Sequence, residues 1–178
     1  MSKKIILNSS SFQNAIKKIA KEIISNNKTL SDIAIVGVHN KGVFIAKRIL
    51  SEIAKIKKIS EKKISFGILD ITLYRDDLDD FGSQMPDIKD TVFPFEISSK
   101  KIILVDDVLY TGRTVRASID VLMDFGRPKS IKLAVLVDRG GRELPIEPNY
   151  FGVKAESKKM VEVCCVEAEG KDEVFIQN

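Results

Sequence analysis

The stretch "IILVDDVLYTGRT", residues 102–114, decides how this chain folds. It opens on an apolar run that reads as a buried strand, residues 101–106, and ends that run in two adjacent carboxylates, Asp106 and Asp107. Tyr110, Thr111, Gly112, Arg113 and Thr114 follow, a small, hydroxylated turn with one cation in it. From Thr114 the segment "TVRASIDVLMDFG" (114–126) has helical spacing, closed by Gly126 with Pro128 beyond. A strand passing through a short turn into a helix is the repeating unit of α/β sheets.

The same alternation extends outward in both directions. Upstream, residues 12–28 predict an amphipathic helix with Phe12, Ile16, Ile19 and Ile23 on one side and Lys17, Lys18, Lys21 and Lys28 on the other. "IAIVGV" (33–38) predicts a buried strand, residues 41–56 a second helix, and "KISFGILDITLY" (63–74) a long strand. Downstream, "IKLAVLVD" (131–138), "MVEVCCVEA" (160–168) and "EVFIQ" (173–177) read as further strands. The expected architecture is one α/β domain with a mostly parallel central sheet flanked by helices. Two stretches stand outside the pattern. Residues 75–97 are acidic and aperiodic, and a loop of that length is usually functional. Residues 139–158 are rich in Gly and Pro and suggest a small appended flap.

Composition narrows the class. At 178 residues, 44% hydrophobic and 30% charged, the chain can bury a core without disulfides or a structural metal. No apolar stretch is long enough to cross a membrane and the start is too short for a secretory signal, so a cytoplasmic setting is expected. Cys164 and Cys165 are adjacent and read as packing thiols; with a single histidine, no zinc site is suggested. The net charge of +4 is compatible with phosphate-bearing partners.

In open α/β sheets, ligands sit beyond the carboxyl ends of the strands. The helix start near Thr114 offers unpaired N–H groups and a positive dipole end, so residues 110–114 can wrap one phosphate. The carboxylates would repel that phosphate but accept protons from hydroxyls. A ribose 5-phosphate has both features. A second strand-to-helix turn, "GVHNKG" (37–42), has the glycine spacing of a P-loop, but Val43 and Phe44 follow where Lys and Ser/Thr should stand. It is not a nucleoside triphosphatase motif. The amides of Asn40, Lys41 and Gly42 still suit a second anionic group. His39 would need an orienting partner to act as a base.

"VDDVLYTGRT" resembles the phosphoribosyl pyrophosphate (PRPP) signature of type I phosphoribosyltransferases. With "DITLYRDDL" (70–78), "GRPKSIKLAVLVDRG" (126–140) and "RELPI" (142–146), the resemblance extends to the branch that joins uracil phosphoribosyltransferase activity to attenuation of pyrimidine operons. It implies transfer from PRPP to uracil, giving UMP and pyrophosphate, with Mg²⁺ held through PRPP and without a direct protein ligand. Asp106 and Asp107 would hold the ribose hydroxyls, Tyr110 to Thr114 the 5-phosphate, and Asn40, Lys41 and Gly42 the pyrophosphate. Arg75 and Lys41 would assist catalysis, residues 75–97 would be a lid, and residues 139–158 a hood. Val137, Asp138 and Arg139 would meet the base. The resemblance further implies a homo-oligomer and UMP-responsive binding of pyrimidine-operon leader mRNA, here through Lys17, Lys18, Lys21 and Arg142. Where the family commonly has Thr-Arg-Gly and Asp-Arg-Gly-His-Arg-Glu-Leu-Pro-Ile-Arg, this chain has Asn40-Lys41-Gly42 and "DRGGRELPIE", with Gly141 and Glu147 in place of a histidine and a basic residue. The alternatives are an RNA-binding regulator with residual catalysis and a phosphoribosyltransferase for another base.

Overall fold

The computed structural model describes residues 3–74, 89–155 and 158–177. The chain runs β1 (Lys3–Leu7), α1 (Ser9–Asn26), β2 (Ile33–Val38), α2 (Lys41–Lys57), β3 (Ser65–Leu69), β4 (Lys101–Leu109), α3 (Arg113–Asp124), β5 (Ser130–Asp138), β6 (Tyr150–Lys154), β7 (Val161–Cys164), α4 (Val166–Glu169) and β8 (Glu173–Gln177). Strands β3-β2-β4-β5-β6 form a five-stranded sheet, parallel throughout. A second sheet, β1-β8-β7, is small and antiparallel.

Burial on both faces explains why the central strands are almost wholly apolar. Successive side chains alternate across the sheet. Ile35, Ile103 and Val105 therefore meet α1 and α2 through Phe12, Ile16, Ile19, Ile45 and Ile49. Val36, Leu104 and Val135 meet α3 through Val115, Val121 and Leu122 on the other side. The first helix begins at Ser9, three residues before the predicted start, because Asn8 and Ser11 form a reciprocal capping box. Such a cap is worth about 1 kcal/mol.

Three expectations need correction. The strand predicted over 63–74 stops at Leu69. The Asp70 carboxylate accepts hydrogen bonds from Thr72 N (3.0 Å), Thr72 Oγ1 (2.6 Å) and Lys89 N (2.7 Å), which bends the chain into a short 3₁₀ turn, Thr72–Tyr74. The flap expected over 139–158 is not one unit. Its residues Tyr150–Lys154 are an edge strand of the central sheet, locked in place by Asn149, which exchanges two 2.9 Å bonds with the Leu133 backbone. The strand predicted over 160–168 breaks after Cys164, where the Glu169 carboxylate accepts from Cys165 N at 2.7 Å and closes the single turn of α4. A small second layer does exist, but the first and last strands build it.

Arg48 fastens that layer to α2. It bonds Glu167 through Nε (3.0 Å) and Asp172 through Nη2 (2.8 Å), with its guanidinium carbon 5.3 Å from the Phe12 ring centre.

Candidate active site

Three strand ends converge at the carboxyl edge of the sheet. The middle one, β4, delivers Asp106, which is buried, and Asp107, which is partly buried. Asp106 Oδ1 accepts from Asp107 N and Asp107 Oδ1 from Val108 N, both at 2.9 Å, so one oxygen of each carboxylate is held by backbone. Burial pushes the Asp106 carboxyl well above the ordinary range, and the neighbouring Asp107 charge adds to it. Burial also raises Asp107, although the Val108 amide and the Lys41 ammonium oppose the shift. A pair held this way takes up hydroxyl protons or positive charge readily, since either relieves what burial imposes.

Beside the pair lies a cavity of about 170 Å³, lined by Asp106, Val108, Leu109, Tyr110, Thr111, Gly112, Thr114 and Val115. Asp106, Tyr110, Thr111, Gly112 and Thr114 are among the residues expected to receive a sugar phosphate; Asp107 and Arg113, also expected there, are not in the lining. Gly112 has φ +95°, a backbone that side chains rarely adopt, and it turns the chain directly into α3. The amino end of that helix faces the cavity and favours an anion there. Arg113 stands outside the lining: its Nε donates to Glu143 Oε2 at 2.7 Å.

The second turn sits close by because two glycines allow it. A Cβ on Gly37 would lie 2.6 Å from Val43 Cα, and one on Gly42 would lie 2.6 Å from Val105 O and 3.1 Å from Asp106 Cα. The start of α2 therefore rests directly on the acidic pair. The His39–Asn40 peptide in this turn is cis. The Lys41 side chain is committed upward, to the Val163 carbonyl and to Glu169 Oε1 at 3.1 Å, and so ties the turn to the small sheet. Burial works against its ammonium, but Glu169 and Asp107 outweigh it and the pKa is raised. Among the described residues no carboxylate accepts an orienting bond from the His39 ring; burial lowers its pKa despite the nearby Asp70 charge.

The remaining expected residues divide. Val137 is inside the sheet between Val108 and Val153, its side chain in the core. Asp138 is buried at the end of β5 and accepts from Arg142 and from Gly140 N. Arg139 N donates to Leu109 O, and its guanidinium lies 3.8 Å from the Tyr110 ring centre. What this edge could offer a ligand is thus backbone groups and the Arg139–Tyr110 stack. Arg75 and the first part of the expected lid lie outside the described residues. The end of that segment is anchored: Val92 pairs with Ile68, and Thr91 Oγ1 accepts from Asp70 N.

Two residues expected to bind RNA also make contacts within the chain. Arg142 turns inward, onto the carbonyls at the end of β4 and onto Asp138. Lys18 folds over Phe151, with its ammonium 4.4 Å from the ring centre and 2.9 Å from the Phe151 carbonyl. Lys17 and Lys21 are exposed. What the sequence reading missed is the buttress of Glu143, Leu144 and Ile146 behind the phosphate turn; the quoted "RELPI" was its visible trace.

Comparison with known proteins agrees with this geometry. Bifunctional protein PyrR of Endomicrobium trichonymphae is 64% identical over 170 residues, covering 96% of each chain. The proteins of the same name from Acetivibrio thermocellus (50% over 175 residues, 97% of this chain and 93% of the relative) and Deinococcus radiodurans (47% over 172 residues, 96% and 92%) are similar along nearly their full lengths. Among solved structures, a hypoxanthine-guanine phosphoribosyltransferase of Bacillus anthracis superposes with a TM-score of 0.74 at 18% identity, covering 98% of both chains. A hypoxanthine phosphoribosyltransferase of Staphylococcus aureus gives 0.69 at 18%, covering 98% of this chain and 92% of that one. These two share the fold. The family model described as the phosphoribosyl transferase domain matches residues 2–169, and with the acidic pair, the phosphate-shaped turn and the parallel sheet now in place, the chain belongs to that family.

Proposed function

We propose that the chain is a single phosphoribosyltransferase unit that moves the 5-phosphoribosyl group of PRPP onto uracil, releasing UMP and pyrophosphate, and that it also binds pyrimidine-operon leader RNA in response to UMP. The observation that carries the first part is the buried acidic pair beside a phosphate-sized cavity at the sheet edge. Asp106 and Asp107 accept the ribose hydroxyls, the turn 110–114 holds the 5-phosphate, and the amides of residues 40–42 face the pyrophosphate. Holding both ends of the sugar presents its anomeric carbon to the base in a fixed orientation, which is the larger part of the catalysis available without a covalent intermediate. Negative charge leaving with pyrophosphate is met by the 40–42 turn and the α2 dipole. Arg75 would act from the lid.

The donor set fits Mg²⁺ held through PRPP. Asp106 lines the cavity where the ribose would lie and Asp107 follows it in the chain; these acceptors suit hydroxyls and leave the metal to be held through PRPP. When bound, the metal supplies charge neutralisation to the hydroxyls and the leaving group. The reading carries with it the cytoplasmic setting and homo-oligomeric state that the resemblance implies; among the described residues no helix is long and apolar enough to cross a membrane.

The word "bifunctional" in the names of relatives up to 64% identical supports a second activity. For RNA, Lys17, Lys18 and Lys21, all exposed on α1, would be phosphate contacts, Lys18 also holding the Phe151 carbonyl. The test is product analysis with PRPP, Mg²⁺ and a competing panel of uracil, hypoxanthine and guanine. UMP formation is expected, and it should vanish in the Asp106→Asn, Asp107→Asn double variant. Preferred turnover of a purine, or an active double variant, refutes the assignment.

A further inference from the structure

We propose that Arg142 is a positioning residue for the phosphate turn, fixing the direction in which its amides point; the inference rests on the phosphoribosyl reading above. The Arg142 side chain is only 15% exposed, and its three nitrogens are all engaged. Nη1 donates to the carbonyls of Tyr110 (3.1 Å), Gly140 (3.2 Å) and Leu109 (3.4 Å), and Nε donates to Ile146 O (2.8 Å). Nη2 meets Asp138 Oδ1 at 2.5 Å and Glu147 Oε2 at 3.3 Å. One residue further along the turn, Thr111 O accepts from Glu143 N (3.0 Å) and Leu144 N (3.1 Å). Two successive carbonyls of the turn are thus drawn to the segment 139–147.

The peptides concerned are trans, and a trans peptide is planar with its N–H opposite its C=O. Holding Tyr110 O and Thr111 O on one side therefore turns the N–H groups of Thr111 and Gly112 to the other. The cavity occupies that other side: Tyr110, Thr111, Gly112 and Thr114 line it, and its lining includes no residue of 139–147. Consecutive amides directed into one space make an anion-binding nest, reinforced here by the start of α3.

The geometry requires the fork and not merely the charge. A guanidinium presents five N–H donors spread across a rigid plane, whereas an ammonium presents three from one atom. Lysine can satisfy one or two of these acceptors and leaves the others without a donor. The same residue also connects Asp138, at the expected base site, with Tyr110, at the phosphate site.

The test is calorimetric titration of the full chain with UMP and, separately, with uridine, which lacks the phosphate. Wild-type protein is expected to prefer UMP. In Arg142→Gln and Arg142→Lys, UMP affinity should fall roughly tenfold or more, the weight of a lost charge-assisted bond, while uridine affinity changes less than about twofold. In turnover, KM for PRPP should rise while KM for uracil holds. An unchanged UMP-to-uridine ratio in either variant overturns the proposal, as does full rescue by lysine. If the glutamine variant does not fold, the lysine variant decides alone. A wild-type protein indifferent to the phosphate would instead remove the phosphoribosyl reading, and this inference with it.

Discussion

Replacing Gly42 by alanine tests whether the contact between α2 and the acidic pair sets the geometry of reaction. The added Cβ would stand 2.6 Å from Val105 O, 3.1 Å from Asp106 Cα and 3.4 Å from Asp106 Oδ1, and the first of these atoms is backbone in a central strand. The two closest atoms are both backbone, so the start of α2 must retreat by most of an ångström. Overpacking of this kind costs about 1–3 kcal/mol. For a chain of this size that lowers the melting temperature by roughly 3–10 °C. The same retreat moves the 40–42 amides away from Asp106, and misplacement by about 1 Å costs on the order of a hundredfold in rate. UMP formation from PRPP and uracil, followed beside thermal melts, should show both losses. Gly170→Ala is the control: its φ of +71° makes alanine strained, but a Cβ there meets nothing within 4 Å, so it should lower stability and leave turnover intact. A Gly42→Ala protein with wild-type kcat/KM for PRPP would refute the reasoning.

Other perturbations follow from the same structure. Because burial and Asp107 raise the pKa of Asp106 in the folded state, the native chain holds a proton that the unfolded chain gives up. The Asp106 contribution to stability is therefore greatest below the unfolded carboxylate pKa, about 4, and falls as pH rises through the higher folded value. Asp106→Asn should accordingly melt above wild type at pH 8, converge with it near pH 4, and lose PRPP turnover; a variant that melts lower at pH 8 counts against the burial argument. Reversing Lys17 and Lys21 to glutamate should weaken leader-RNA binding and reduce the salt dependence of binding by about two phosphate contacts. Lys18→Ala should instead appear as lost stability of about 1 kcal/mol, since its ammonium serves the Phe151 carbonyl. Arg48→Ala leaves Glu167 and Asp172 without their cation, at a cost of about 3 kcal/mol in denaturant titrations; no change would mean that the small sheet docks without it.

The parts of this molecule that could be read from sequence are those whose cause is local. The strand Ile33–Val38 and the end strand Glu173–Gln177 match their predicted bounds because their apolar residues declare burial on the spot. The acidic pair, the turn and the helix start are contiguous, so their chemistry was visible together. Strand β1 was not, because "KKIIL" becomes a strand only by pairing with residues 173–177, which its own pattern does not announce. Asp70 looked like a strand residue until its carboxylate found Thr72 and Lys89. The contacts of Arg142 and Lys18 could not be read from sequence for one reason: a cation's charge is in the sequence, but the direction of its side chain is decided by carbonyls on other elements.

The pairing of β1 with β8 has a consequence for how the molecule is made. Lys3 lies opposite Gln177, so β1 must wait for β8, which is made much later in chain order. Strands β2 to β6 lie between them and need neither in order to pair. During synthesis the catalytic edge would therefore stand open, and Lys41 would lack Val163 and Glu169 above it, until β7 and β8 are made and join β1. Disrupting the pairing of β1 with β8 should leave a folded central sheet with an unroofed pocket, which would hold its ligands poorly.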